Sequence, residues 1–226
     1  MNKLKTILFA ACSLVLVTIG TAVKADSSNF AGPYIGLTAS GYGIALSGKS
    51  NSAADDTQGS IDEVQIGKVA AVVGAEAGYA LPLGSAFLLD IGAAFYSGET
   101  MIRHDGGDDG DAQRRVAFKI DDLVTIYIAP TLVLSDTSSL YIKVGLTEAD
   151  IGVEGDVTTP GDLSGTTWAI GTRTVLNSGI FIRTEAGYTD YNEISAHGKG
   201  TTVQSTTSYS ANPTIAFGTV SLGFRF

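Results

Sequence analysis

The chain has 226 residues, of which 44% are hydrophobic and 16% charged, and its net charge is −9. This acidic balance argues against nucleic acid as a partner, because binding to phosphates needs clustered Lys and Arg. After residue 25 no stretch offers the ~20 consecutive apolar residues of a transmembrane helix, whereas a membrane-spanning β-strand needs only ~9–11 residues with one apolar face.

Residues 1–25 are predicted to be a signal peptide that is removed. Two lysines near the start precede an apolar run over residues 6–20 that is too short to span a bilayer, and residues 23–25 place small side chains where a signal peptidase reads them. Cleavage before Asp26 leaves one predicted domain, residues 26–226. The removed segment carries three lysines and no acid, so the net charge changes from −9 to −12.

The only cysteine, Cys12, lies inside that signal peptide. The mature chain is therefore predicted to have neither a disulfide nor thiolate chemistry. The alternative is a lipoprotein modified at Cys12, but that signal would have almost no apolar segment before the cysteine and a further one after it.

Eight segments of the mature chain alternate apolar and polar residues with the period of two that is typical of β-strands. In chain order they span residues 33–42, 69–80, 87–97, 116–132, 140–147, 167–176, 180–189 and 218–226. In the first segment Ile35, Leu37 and Ala39 share one face with each other and alternate with polar or aromatic neighbours. Each segment therefore has one apolar face.

The connections between these segments fall into two classes. Three are short and turn-like, at residues 82–85, 135–139 and 177–179, and four are long and polar, at roughly 47–66, 98–115, 152–165 and 192–212. The two classes alternate along the chain. An even number of strands with short turns at one rim and long loops at the other is typical of an outer-membrane barrel.

The second face of the segments carries nearly all of the mid-strand charges. They are Glu76, Asp90, Lys119, Asp121, Lys143, Arg173, Arg183, Glu185 and Arg225. Four acids and five bases in such balance indicate an enclosed and mutually paired set, because an unpaired buried charge costs several kcal/mol. We interpret these nine residues as a network inside the barrel.

The apolar faces also place aromatic residues near the ends of the segments. Tyr79, Phe87 and Phe226 lie near the rim with short turns, and Phe95, Phe118, Trp168 and Tyr188 lie near the rim with long loops. Two such girdles mark the interfaces of a membrane barrel. The predicted fold is all-β, an eight-stranded antiparallel up-and-down transmembrane β-barrel. A soluble lipocalin-like barrel or a sandwich with one wet face is the alternative.

Two residues interrupt the pattern of the fourth segment. Asp122 falls on the apolar face, which indicates a β-bulge there or lipid contact that begins only after it. Pro130 lacks a backbone donor and belongs near a strand end or a bulge, where the strand leaves the bilayer.

The sequence resembles the small eight-stranded outer-membrane β-barrels of the OmpA/OmpX type across the mature chain. Four stretches carry the resemblance: residues 32–36 (GPYIG), 139–145 (SLYIKVG), the hairpin 168–188, and the terminal 222–226 (LGFRF). The resemblance implies an outer-membrane barrel of a Gram-negative bacterium. It also implies that the terminal apolar alternation is a signal for the barrel-assembly machinery.

The residues of that implied assembly signal are Val220, Leu222, Phe224 and Phe226. One position departs from the family, which usually places its glycine two positions before Gly223, where this chain has Ser221. The family includes structural barrels, adhesins, small pores and lipid-modifying enzymes, so the resemblance does not select among these functions.

Candidate catalytic and metal-binding residues are few. The two histidines, His104 and His197, fall in long loops, and the stretch Glu193 to His197 with Ser195 faintly resembles the residues of barrel lipid A deacylases in another order. The acidic loop at 104–111 is rich in oxygen ligands, but its spacing is not that of an EF-hand, so a solvated acidic loop and a weak divalent-cation site are both open interpretations. We expect no catalytic site and no cofactor.

The leading functional hypothesis is an integral outer-membrane protein with a structural or surface-interaction role, a closed polar lumen and acidic extracellular loops. Eight strands enclose just enough room for side chains, whereas water-filled channels have ~16–18 strands. A narrow pore for small ions is the first alternative, and a lipid-modifying enzyme is the second. The expected partners are outer-membrane lipids, the assembly machinery during biogenesis and an unidentified surface ligand.

Overall fold

The computed structural model describes residues 26–51, 68–98, 100–104, 116–155, 157–176, 179–200 and 208–226. The predicted signal peptide and residues 105–111 of the acidic loop lie outside this part of the chain. Within it, no helix is long and apolar enough to cross a membrane.

One short 3-10 turn and ten strands make up the described chain. The turn spans Ser27–Asn29. The strands are β1 (Gly32–Asn51), β2 (Lys68–Pro82), β3 (Phe87–Ser97), β4 (Thr100–His104), β5 (Val116–Val133), β6 (Ser138–Glu154), β7 (Leu163–Val175), β8 (Ile180–Tyr191), β9 (Ile194–His197) and β10 (Ser208–Arg225).

Eight of these strands close into an antiparallel barrel. The wall runs β1, β2, β3, β5, β6, β7, β8 and β10, and β10 returns to pair with β1. Ile35 faces Phe224 across this seam, as the sequence predicts, and the seam continues to Asn51 and Ser208. The short strands β4 and β9 extend the wall by pairing with β5 and β10. Closure removes the exposed sheet edge, and the predicted eight-stranded barrel is confirmed.

Side-chain exposure alternates along the wall as the sequence pattern predicts. Leu37 is 72% exposed and its neighbour Thr38 is 5% exposed, and the same alternation holds for Leu222 and Ser221. The outward apolar residues include Ile35, Val73, Tyr79, Phe87, Ile91, Phe95, Ile126, Leu146, Ile170, Ile182, Val220, Phe224 and Phe226. An apolar outer face around a partly charged interior is the arrangement of a barrel in lipid rather than in water.

The two rims differ as predicted, but the long-loop rim contains more strand than the sequence indicates. Short connections follow β2, β5 and β7. On the other side β1 continues to Asn51, β6 continues to Glu154, and β4 and β9 lie inside segments predicted as loops. Beyond the bilayer an outward face no longer has to be apolar, so the period-two signal disappears while the backbone ladder continues.

A β-bulge at Asp122 inverts the faces of β5. The pairing with β6 shifts between Asp121 and Leu123, and Asp122 has a φ of 40°. Ile120, predicted to face lipid, is consequently buried at 3% exposure inside the barrel. Lys119 and Asp121, predicted to lie in the lumen, flank Ile120 on the opposite face. Their assignment to the internal network is therefore wrong, because the extra residue of a bulge exchanges the two faces of a strand.

Pro130 lies three residues before the end of β5 and faces outward. The pairing of β5 with β6 reaches Ile128 and resumes at Thr131 in the same register. A residue without a backbone donor is tolerated at this interruption of the ladder. The expected position near a strand end agrees with the structure.

The bulge gives a direct test of the register. A φ of 40° suits Gly, Asn or Asp and is strained for a β-branched residue, so Asp122→Val should lower the free energy of unfolding by about 1–3 kcal/mol and Asp122→Gly should not. Urea unfolding in lipid vesicles measures both. Glu148→Val, at an exposed and regular strand position on β6, is the control. Equal losses for Asp122→Val and Glu148→Val would contradict the bulge.

Candidate functional site: the barrel interior

Three ion pairs cross the middle of the barrel. Arg173 bonds Asp90 at 2.8 Å, Arg183 bonds Glu76 at 2.8 Å, and the Lys143 amine lies 2.5 Å from the Glu185 carboxylate. All six side chains are at most 4% exposed. They come from β2, β3, β6, β7 and β8, so the pairs connect strands that are not neighbours in the wall. We call these six residues the charge layer.

Buried tyrosine and threonine hydroxyls complete the hydrogen bonding of the charge layer. Tyr141 donates to Glu185 at 2.8 Å, Tyr127 donates to Glu76 at 3.4 Å, and Thr131 donates to Asp90 at 2.9 Å. The Tyr127 hydroxyl lies 3.0 Å from that of Tyr34. Buried carboxylates need such extra donors, because one counter-charge does not replace the water that each oxygen loses.

Aromatic rings cover the cations of the charge layer. The Arg173 guanidinium lies 4.8 Å from the Tyr34 ring centre, Arg183 lies 5.0 Å from it, and Lys143 lies 4.2 Å from the Tyr127 ring centre. Phe181 is within 5.7 Å of both arginines. Cation–π contacts of this kind are worth about 2 kcal/mol or more when water is excluded. The rings therefore stabilise the charges and also occupy the space that water would need.

Glycines on adjacent strands make room for these rings. A Cβ at Gly78 would overlap Tyr34, one at Gly92 would overlap Tyr127, and one at Gly171 would overlap Tyr141. Each glycine thus allows a tyrosine to lie flat across the wall. The glycine abundance of the sequence is explained at these positions by packing.

The assembly-signal residues and Gly223 have distinct places in β10. Val220, Leu222, Phe224 and Phe226 all point outward and are 41–67% exposed. Gly223 faces inward, where a Cβ would overlap the ring of Phe181. Its position two residues later than in the family pattern therefore has a local packing reason. The role of the terminal residues in assembly stays a prediction.

The remaining two places predicted for the internal network lie at its ends. Lys119 and Asp121 bond each other at 2.8 Å and are 35% and 29% exposed, outside the charge layer. Arg225 lies at the short-turn end, where its guanidinium donates to the backbone carbonyls of Ser28 and Ala31 at 3.3 and 3.0 Å. The end of the chain thus holds its beginning.

Residues 26–31 form a plug at the short-turn end of the barrel. Ser27 donates its backbone N–H to Ser85 and its hydroxyl to the Gly84 carbonyl, at 2.9 and 2.6 Å. Phe30 follows and is fully buried in a cluster with Tyr34, Leu88, Val133, Val175 and Phe181. Sequence analysis missed this plug, because it precedes the first alternating segment.

The local signal of the plug is its cap. Asp26 accepts a hydrogen bond from the backbone N–H of Ser28 at 2.9 Å, which starts the 3-10 turn. Hydrogen bonds from the side chain and backbone of Ser28 also lower the pKa of the Asp26 carboxyl. An acidic residue followed by two serines and an asparagine before an aromatic could have indicated a capped turn.

The long-loop half of the interior is apolar, which differs from the uniformly polar lumen that the sequence predicts. A belt of threonine hydroxyls, spaced 2.5–2.8 Å, runs across β5 to β8 above the charge layer. Beyond it lies a cluster that includes Tyr42, Ile44, Val72, Tyr96, Ile120, Leu123, Leu163, Tyr191, Ile194 and Ile215. Between these layers is a cavity of about 20 Å³, room for about one water molecule.

Three buried polar atoms of the charge layer have no hydrogen-bond partner within the described chain. They are the Nε atoms of Arg173 and Arg183 and one carboxylate oxygen of Glu76. In the same part of the chain, no group of three or more His, Cys, Asp or Glu residues is placed to hold a metal ion. His197 lies on β9, where it shares an exposed face with Ser195. The cation-binding hypothesis for loop 104–111 lies outside the described residues except for the backbone of His104.

An eight-stranded barrel with an apolar outer band and buried ion pairs inside defines a transmembrane β-barrel protein. The chain belongs to the outer membrane protein beta-barrel domain family, which it matches over residues 12–224. It is therefore an outer-membrane protein. A comparison with curated proteins finds no match.

Solved structures show the same fold. The outer membrane protein OprG from Pseudomonas aeruginosa is 12% identical and aligns with a TM-score of 0.58 over 91% of this chain and 100% of its own. The protease OmpT from Escherichia coli is 9% identical, with a TM-score of 0.46 over 86% and 97%. Ail, the attachment invasion locus protein of Yersinia pestis, is 10% identical, with a TM-score of 0.41 over 84% and 99%.

Breaking a pair of the charge layer should be costly. Arg183→Met leaves Glu76 buried without its counter-charge, so we expect the free energy of unfolding to fall by about 3–5 kcal/mol. The double variant Arg183→Met with Glu76→Gln should recover a large part of that loss. Both are measured by urea unfolding in lipid vesicles.

The matched control is the exposed pair. Lys119→Met should cost only about 0–1 kcal/mol, because solvent screens that ion pair. Equal losses for Arg183→Met and Lys119→Met would contradict the buried and sealed position of the charge layer.

Proposed function

We propose that the protein is an integral outer-membrane barrel with a structural or surface-interaction role and a lumen that does not conduct. The observation that carries this proposal is the filled interior. From the short-turn end to the long-loop end it contains the plug, the charge layer, the threonine belt and the apolar cluster.

A pore requires a continuous path for water, and the interior argues against one. The described barrel encloses a cavity of about 20 Å³ between the charge layer and the apolar cluster. Phe30 and the apolar cluster close the two ends with side chains that offer ions no replacement for their hydration shells. Eight strands leave little more than the volume of the side chains in any case. We therefore favour the closed barrel over the narrow pore.

The long wall favours a surface role. Strands β1, β5, β6 and β10 contain 20, 18, 17 and 18 residues. A bilayer is crossed by ~9–11 residues of a tilted strand, so the sheet continues well past the membrane on the long-loop side. Because the apolar cluster fills this projecting part, it is a packed platform for the loops. The loop sequence from 105 to 111 carries four aspartates, so the expected surface partner is not anionic.

The described geometry gives little support to an enzyme. Ser195 and His197 are alternate residues of β9, and such residues are about 6.7 Å apart along a strand. A nucleophile and its base need about 2.6–3.2 Å. His197 instead uses its backbone N–H to hold the Thr158 hydroxyl at 2.9 Å. We propose that the protein has no catalytic site, and that its other partners are lipids against the apolar band and, during biogenesis, the assembly machinery.

Planar-bilayer recording of refolded protein tests this function. We expect no conductance steps from the wild-type protein. Phe30→Ala should also stay silent, because the charge layer still closes the lumen after the plug is lost. Insertion is verified on the same preparation by a heat-dependent shift in gel migration. Reproducible wild-type conductance would contradict the proposal and favour the pore.

A further inference from the structure

A second cavity lies on the outside of the wall, at the long-loop ends of β7, β8 and β10. Its volume is about 460 Å³, which is within the ~300–1,000 Å³ of small-molecule sites. The residues that line it and matter here are Thr166, Trp168, Tyr188, Asp190, Glu193 and Asn212. We call it the lip cavity.

The lip cavity combines two aromatic rings with a polar upper edge. Trp168 and Tyr188 are direct neighbours across β7 and β8, and Thr166 and Asp190 form the next outward pair towards the loops. Two residues below Trp168 on the same face, Ile170 is 54% exposed on the apolar band. The cavity therefore begins where the lipid-facing surface ends.

The polar edge is partly held in place by contacts of its own. The Asn192 side chain donates to the Ser164 hydroxyl at 2.9 Å, and its backbone N–H donates to the Ser164 carbonyl at 2.9 Å. Asn212 donates to the Glu193 carboxylate at 3.5 Å. These bonds connect the ends of β7, β8 and β10. Side chains fixed before binding lose less entropy when a ligand arrives.

We propose that the lip cavity binds an uncharged sugar ring, with the headgroup of a glycolipid in the outer leaflet as its source. A sugar ring has a flat face of C–H groups that packs on the faces of Trp168 and Tyr188. Its hydroxyl edge can donate to the carboxylates of Asp190 and Glu193 and exchange hydrogen bonds with Asn212. The position directly above the lipid-facing surface favours a membrane-bound sugar over a soluble one.

The charge of the cavity sets its selectivity. Two carboxylates within one cavity repel anions at close range, where salt screens them incompletely. A sulfated sugar should therefore bind more weakly than the neutral sugar of the same shape. The inference does not depend on whether the lumen conducts, so bilayer recording and the test below can fail separately.

Trp168 is the only tryptophan of the chain, so its fluorescence reports on the lip cavity directly. The test uses protein in nanodiscs made of phosphatidylcholine alone or with an added diglucosyl diacylglycerol, after refolding in a detergent without sugar. Maltose and glucose 6-sulfate are titrated separately to about 100 mM, which covers weak single-site affinities. We expect the emission of Trp168 to change with the glycolipid, and to change more with maltose than with glucose 6-sulfate.

Two variants and one matched control complete the experiment. Asp190→Ala and Glu193→Ala should each weaken the response to sugar about tenfold, because each removes an acceptor for a sugar hydroxyl. Asp150→Ala, an exposed carboxylate on β6 that does not line the cavity, should leave it unchanged. All variants must keep the heat-dependent gel shift of the folded barrel.

Three outcomes would overturn the inference. Trp168 emission that responds to neither the glycolipid nor maltose would exclude a sugar site. A response that Asp190→Ala and Glu193→Ala leave intact would show that the sugar acts elsewhere. A response to maltose without one to the glycolipid would contradict the membrane source.

Discussion

The interior of this barrel depends on one constraint: a charge enclosed by the wall has to meet an opposite charge and further hydrogen-bond donors. Glu76 shows how this constraint organises its neighbours. Its carboxylate bonds Arg183 and accepts from Tyr127, and Tyr127 reaches Tyr34 on β1. The rings that satisfy the carboxylates also cover the cations, and Gly92 makes room for Tyr127. Electrostatics, packing and the choice of glycine are therefore one arrangement, which leaves little space for water.

The two ends of the chain extend this arrangement to the short-turn rim. Arg225, next to the last residue, bonds the backbone of the segment that carries Phe30 into the lumen. The backbone N–H of Phe226 also donates to the carbonyl of Pro33 at 3.0 Å. The plug and the seam between β1 and β10 consequently share residues, so the strand that closes the wall also holds the plug. The opposite rim is closed by apolar packing inside and carries the lip cavity outside.

Much of this could be predicted from the sequence, because a barrel wall has a strict period of two. That period placed six of nine charges in the charge layer and identified the strand pairing around Ile35. It failed at Asp122, where one extra residue exchanged the faces of β5. It also missed Phe30, which lies outside any alternating segment, and the lip cavity, since Trp168 and Asp190 become neighbours only through the pairing of β7 with β8. Periodicity reports on regular strands and is silent about bulges, plugs and cross-strand neighbours.

The central claim, a sealed lumen, is tested most directly by thiol labelling. Residues 26–226 contain no cysteine, so single cysteines can be introduced without competition. Ser139 is 1% exposed on the lumen wall beside Arg173, and Asp136 is exposed in the adjacent short turn. With a charged, membrane-impermeant methanethiosulfonate, Asp136→Cys should react quickly and Ser139→Cys should react only after unfolding. Equal labelling of the two in the folded barrel would show a water-filled lumen and contradict the account.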